Sequence, residues 1–176
     1  MKDCLLAVDV FGDFSHEDGD RLLASLRDRA GGFVHTLDAA RRREIPVLFA
    51  NDTHGVWDGD SRALVERALA GPGRDVLEAL VPRDDEAFLV KPRYSAFDLT
   101  PLELVLAQLE IERILLMGMA TEMCVAQTAI DARERGFKVT VVEEACATVD
   151  ERIEAVALDY LVSVTGTLLA KSLPDG

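Results

Sequence analysis

Apolar residues along this chain fall into short unbroken runs, separated by longer stretches with helical spacing. Leu5-Leu6-Ala7-Val8 is the first such run, and it stops at Asp9. Further runs cover residues 45–50, entered through Pro46, 88–90 before Lys91-Pro92, 114–117 before Gly118, 139–142 and 161–164. Continuous apolar runs of this length suit strands that are covered on both faces. Between them, residues 20–43 have helical character, loosened near Gly31-Gly32, with Phe33, Val34 and Leu37 as a core-facing stripe. Residues 61–70 predict a helix closed by Gly71-Pro72-Gly73. Thr100 is a good cap for another, with Pro101 at its first position and Glu103 three residues past the cap. A helix over 122–135 ends at Gly136, and Asp150 caps one reaching about Tyr160.

Strand-then-helix order repeated along the chain implies an α/β protein with a parallel sheet and helices on both faces. Six strands are predicted, in one three-layer α/β/α sandwich of Rossmann-like type. No repeat, low-complexity segment or linker divides residues 1–176, so they are read as one domain. No GxGxxG follows the first strand, which argues against a dinucleotide-binding domain.

Composition narrows the function classes. Hydrophobic residues make up 49% of the 176, enough for a sizeable core, yet no apolar run approaches the roughly 18 residues of a membrane span. The five apolar residues from Cys4 to Val8 are too few for a signal-peptide core. A net charge of −13 makes nucleic acid and anionic membranes poor partners. Three cysteines, Cys4, Cys124 and Cys146, form no CxxC pair, which favours free thiols and a cytoplasmic setting. Arg41-Arg42-Arg43 reads as a solvated helix end.

In sheets of this kind, ligands bind beyond the carboxyl ends of the strands, where strand order reverses. Asp9, Asn51-Asp52, Lys91 and the 118–124 segment all follow strands at that rim. Cys124 falls in the first turn of a helix, where unpaired N–H groups and the dipole favour a thiolate. A nearby lysine would favour it further, a carboxylate could take the thiol proton, and the same N–H groups could hold an oxyanion. Nucleophile, base, cation and oxyanion donors are thus available without a cofactor.

Three segments carry a resemblance. Residues 5–9 with Asp13-Phe14, the run Lys91-Pro92-Arg93-Tyr94-Ser95-Ala96-Phe97, and Gly118-Met119-Ala120-Thr121-Glu122-Met123-Cys124-Val125 stand in this order. Together they resemble the acidic, lysine and nucleophile motifs of the isochorismatase-like cysteine hydrolases, a family that includes nicotinamidases and carbamoyl-amide hydrolases. The resemblance covers nearly the whole chain. It implies a six-stranded parallel sheet and hydrolysis of a C–N bond in a small amide or carbamoyl substrate through a Cys124 thioester. Asp9 would be the acid/base, and Lys91 would stabilise charge. A cis Met119–Ala120 bond is implied, with the Ala120 and Cys124 amides facing the oxyanion. A homo-oligomer, dimer or tetramer, is implied as well.

The departures bear on the pocket. Phe11 and Gly12 stand where the family usually has Gln-Asn, so Phe11 is expected to reshape one wall. Phe11, Trp57, Tyr94, Phe97 and Met123 are the expected substrate contacts, and they suggest a flat or apolar substrate group. Phe11 and Gly12 also leave open a non-catalytic binding protein on the same fold. Asp52 and His54 are spaced like two metal ligands of metal-dependent nicotinamidases. No histidine follows His54, and His16 is the one outside recruit, so no metal or other cofactor is expected.

Overall fold

A computed structural model describes residues 1–53, 55–56 and 59–174. Its strands are β1 (Asp3–Val8), β2 (Val47–Asp52), β3 (Ala87–Lys91), β4 (Arg113–Met119), β5 (Lys138–Ala147) and β6 (Leu168–Ala170). They form one parallel sheet in the order β3-β2-β1-β4-β5-β6. The helices are α1 (Gly19–Asp28), α2 (Ala30–Arg42), α3 (Ser61–Leu69), the short α4 (Arg74–Leu77), α5 (Leu102–Gln108), α6 (Ala126–Glu134) and α7 (Glu151–Tyr160). Among the described residues, no helix is long and apolar enough to cross a membrane.

The unbroken apolar runs follow from burial on both faces. Along β1, Leu5 and Ala7 join the core under α1, α2 and α3, while Cys4, Leu6 and Val8 join the core under α5 and α6. The central β4 divides in the same way, with Leu115 and Met117 on one side and Ile114 and Leu116 on the other. A fully buried aliphatic side chain contributes roughly 1.5–3 kcal/mol. A one-residue slip would exchange the two faces and misplace everything beyond the strand ends.

Strand order reverses between β1 and β4, so the crevice that such sheets use for ligands opens there. At this point the two strands approach closely. Val8 is in register with Gly118, whose φ is 138° and where a Cβ would stand 1.9 Å from the Val8 carbonyl oxygen. Only glycine fits there.

Two elements differ from the sequence reading. Residues 161–164 are not a strand: Leu161–Thr165 is a wide helical turn that continues α7, ended by Gly166 in the left-handed region. Val162 and Val164 suggest a strand by their branching, but both face solvent, and the sixth strand follows at Leu168–Ala170. The first long helix also breaks at Arg29, not at Gly31-Gly32, which lie inside α2. Gly32 answers to packing, since a Cβ there would meet the Glu144 carbonyl oxygen at 1.9 Å. Thr100 does accept from the Leu102 N–H, at the start of α5.

Candidate active site

Asp9 is the first residue beyond β1 and has a positive φ of 49°, a conformation aspartate tolerates better than most side chains. Its amide still donates to the Ala50 carbonyl at 2.9 Å, so the backbone leaves the sheet only after Asp9 is anchored. One carboxylate oxygen accepts from the Asp52 amide at 2.6 Å, and the other lies 2.6 Å from Lys91 Nζ.

Lys91 ends β3 and is fully buried. Besides Asp9, its ammonium donates to the Arg93 carbonyl at 2.7 Å and to Cys124 Sγ at 3.6 Å. A lysine ammonium has three hydrogens, and here each has an acceptor. Cys124 lies in the wide turn Thr121–Val125 that runs from the end of β4 into α6. The Met119–Ala120 peptide bond ahead of this turn is cis.

The electrostatics change one part of the sequence reading. Burial raises the Asp9 carboxyl above its ordinary value of 3.8, against the pull of Lys91, the thiol and the Asp52 amide. Burial also raises the Cys124 thiol, and the Asp9 charge adds to that, with Lys91 opposing. Burial and the Asp9 charge therefore oppose the thiolate that a helix N-terminus and Lys91 favour at Cys124. Desolvation and a neighbouring anion outweigh the cation. Cys4 and Cys146 are both buried, and burial pushes Cys146 up to about 12. They are packing residues.

Asp9 and Cys124 open onto a cavity of about 280 Å³, bounded by Met119, Ala120, Phe14 and Val149, with Tyr94 and Met123 at its mouth. Tyr94 and Met123 thus border the cavity as expected of substrate contacts, and so does Gly12. Phe11 and Phe97 do not. Phe11 is fully buried against Phe49 and Phe88, at centroid distances of 6.0 and 6.2 Å. The turn at Asp9 sends it into the core, so it forms no pocket wall. Phe97 is buried next to Phe137, with the Arg135 guanidinium 4.8 Å above its ring. Asp52 and His16 reach the cavity lining, while His54 and Trp57 lie outside the described residues. Among the described residues, no three histidine, cysteine or acidic side chains are grouped to hold a metal. A larger groove of about 480 Å³, between α3 and the approach to β3, contains none of this chemistry.

Residues 3–171 match the family model described as the isochorismatase domain. The chain belongs to the isochorismatase family. Within the family it is 28% identical over 160 residues to the uncharacterized protein YaaI of Bacillus subtilis (strain 168), covering 91% of this chain and 88% of YaaI. The crystal structure of the nicotinamidase/pyrazinamidase PncA from Bacillus subtilis aligns with a TM-score of 0.79 at 27% identity, over 97% of this chain and 100% of PncA. That of N-carbamoylsarcosine amidase from Thermoplasma acidophilum aligns at 0.76 and 27%, over the full length of both.

The supports of the isochorismatase-family site were harder to read from sequence. Glu154, on α7, takes a two-pronged contact from Arg29 at 2.6 and 2.7 Å and accepts from the Thr121 hydroxyl at 2.7 Å. Glu122 accepts from the Thr148 hydroxyl at 2.8 Å and the Val149 amide at 2.9 Å. The nucleophile turn is thereby tied to β5 and α7. Thr121 and Glu122 stand inside the nucleophile motif, but Arg29 and Glu154 are 125 positions apart and carry no local signal. Asn51 lies near the end of β2. Its amide group accepts from the Phe11 N–H at 2.9 Å and donates to the Phe11 carbonyl at 3.0 Å, as a neighbouring strand would.

Proposed function

We propose that this protein hydrolyses the C–N bond of a small amide or carbamoyl compound, with Cys124 as nucleophile. The observation that carries the reading is the placement of one ammonium, Lys91 Nζ, 2.6 Å from Asp9 and 3.6 Å from the Cys124 sulfur, beside a cavity of about 280 Å³. The family's amidase relatives support the same reaction class.

The elevated Asp9 carboxyl is a better base than an ordinary aspartate, and the thiol needs one. Asp9 takes the Sγ proton as sulfur attacks the carbonyl carbon, and the carbonyl π electrons move onto oxygen. The Ala120 and Cys124 amides are assigned to that oxyanion, while Lys91 balances charge around the sulfur and Asp9. Collapse expels the amine, which leaves with the proton held by Asp9, and a Cys124 thioester remains. Water then gives its proton to Asp9, attacks the thioester carbon and releases the acid. The departing Cys124 sulfur regains the proton, and the thiol is restored. This proton traffic needs no preformed thiolate.

The displacement of Phe11 into the core weakens the non-catalytic alternative, because the aromatic that raised it does not enter the cavity. The test is ammonia release from a panel of small primary amides, with intact-mass detection of an acylated enzyme. Ammonia formation that is lost in Cys124→Ala, with a trapped adduct on the wild type, is expected. A folded wild type that releases no ammonia and traps no adduct across the panel would overturn the reading.

A further inference from the structure

The cavity that holds Cys124 has a distinctive charge pattern. Among its described lining residues are four carboxylates, Asp9, Asp13, Asp18 and Asp52, one imidazole, His16, and no lysine or arginine. Residues 54, 57 and 58 are His, Trp and Asp, so they add neither of those cations. Two nearby cations are engaged. Lys91 lies beneath the cavity on Asp9, and Arg21 pairs with Asp18 on the segment leading into α1. Arg93 lines an adjoining groove that shares Asp52 and Tyr94 with the cavity, and it is not in the cavity's own described lining. The rest of the wall is apolar, from Phe14, Leu22, Met119, Met123 and Val149.

We propose that this site selects neutral or cationic small amides and rejects amides that carry a carboxylate. The inference rests on the amide-hydrolysing reading of the same cavity and adds to it the charge class of the substrate. A carboxylate brought into the cavity would lose water without gaining a cation, and it would approach several negative side chains. An ammonium group or an uncharged alkyl group meets no such obstacle. The chain's net charge of −13 acts in the same direction at longer range. The volume, just below the roughly 300–1,000 Å³ usual for ligand sites, leaves little room for a bridging shell of water.

Three probes of nearly equal size separate the cases: butanamide (neutral), 4-aminobutanamide (cationic) and succinamate (anionic). Their dissociation constants are measured calorimetrically on the Cys124→Ala protein, which binds without turnover, and ammonia release is followed on the wild type. Succinamate is expected to bind at least about tenfold more weakly than the other two, with the gap from the cation narrowing in high salt. In Asp18→Asn/Cys124→Ala, Arg21 loses its carboxylate partner, so succinamate should recover by at least about threefold. Succinamate binding as tightly as butanamide, or no binding by any probe, overturns the charge-class inference. The expected binding order without ammonia release would instead overturn the hydrolysis reading alone.

Discussion

Two ion pairs flank the turn that carries Cys124, and they differ in kind. On the cavity side, Lys91 meets Asp9 through a single oxygen and spends its other hydrogens on a carbonyl and on the Cys124 sulfur. On the far side, Arg29 grips both oxygens of Glu154, and the Thr121 hydroxyl adds a further donor. A guanidinium stays protonated and its planar fork fixes geometry, whereas an ammonium acts as a point charge that can serve several acceptors. Asp9 also touches the thiol, so a proton can move within that pair. The Arg29–Glu154 pair touches no nucleophile and has only a shape to maintain. Charge and burial alone do not identify chemistry; the type of donor and its remaining neighbours do.

Substitution separates the two pairs most sharply. Asp9→Asn should lower kcat/KM for amide hydrolysis by about a thousandfold, within the span removed with a general base, and should also lower the urea unfolding midpoint, because the fully buried Lys91 loses its counter-charge. Glu154→Ala should also cost stability but spare far more of the rate. It leaves Arg29 with the Cys146 carbonyl and Thr121 with the Ala147 carbonyl as remaining acceptors, and should cost about 3 kcal/mol by urea melt, with kcat falling only about tenfold when assayed where the variant is folded. A Glu154→Ala protein of wild-type stability and no activity would erase the distinction.

The next largest effect is in pH dependence. The Asp9 pKa is raised by burial above the 3.8 it would have in an unfolded chain. The folded chain thus holds the proton more tightly, so this group's contribution to stability is complete below 3.8 and is lost as pH rises through the folded value. The ionised base appears over the same window, so kcat/KM should rise where this contribution falls. Urea midpoints and rates followed upward from pH 3.8 should show opposed slopes as Asp9 ionises, and the stability slope should flatten in Asp9→Asn.

Smallest is the change in thiol reactivity. Burial first, and the Asp9 charge second, hold the Cys124 thiol above its ordinary range. Iodoacetamide labelling near neutral pH should therefore be slower than for a free cysteine. It should accelerate several-fold in Asp9→Asn and slow in Lys91→Met, as read by intact mass. Acceleration in Lys91→Met would mean that the ammonium does not act on the sulfur.

How much was legible follows from which forces are local. Strands covered on both faces announce themselves as unbroken apolar runs, and the polar residues at their ends mark the rim. Asp9, Lys91 and Cys124 were visible for that reason, and the motif resemblance assigned them roles. Residues 161–164 misled because Val162 and Val164 favour strands by branching, while their exposure is decided by tertiary packing. Phe11 misled because its direction depends on a left-handed residue two positions earlier and on Asn51, 40 positions away. The state of the Cys124 thiol depends on burial, which a motif does not encode. Arg29 and Glu154 meet only after α1 and α7 have packed around β5.

The paired contacts between Asn51 and the Phe11 backbone have a consequence for how this scaffold can change over time. They prolong the sheet for one residue after the chain has left it, and so act as a mechanical stop between Asp9 and the segment that shapes the cavity. Replacements at the exposed residues 15–17 are expected to remodel the mouth with less effect on the carboxylate than changes at the buried Phe14. The part that decides which molecule enters is thereby free to drift, and the part that handles protons stays where it is.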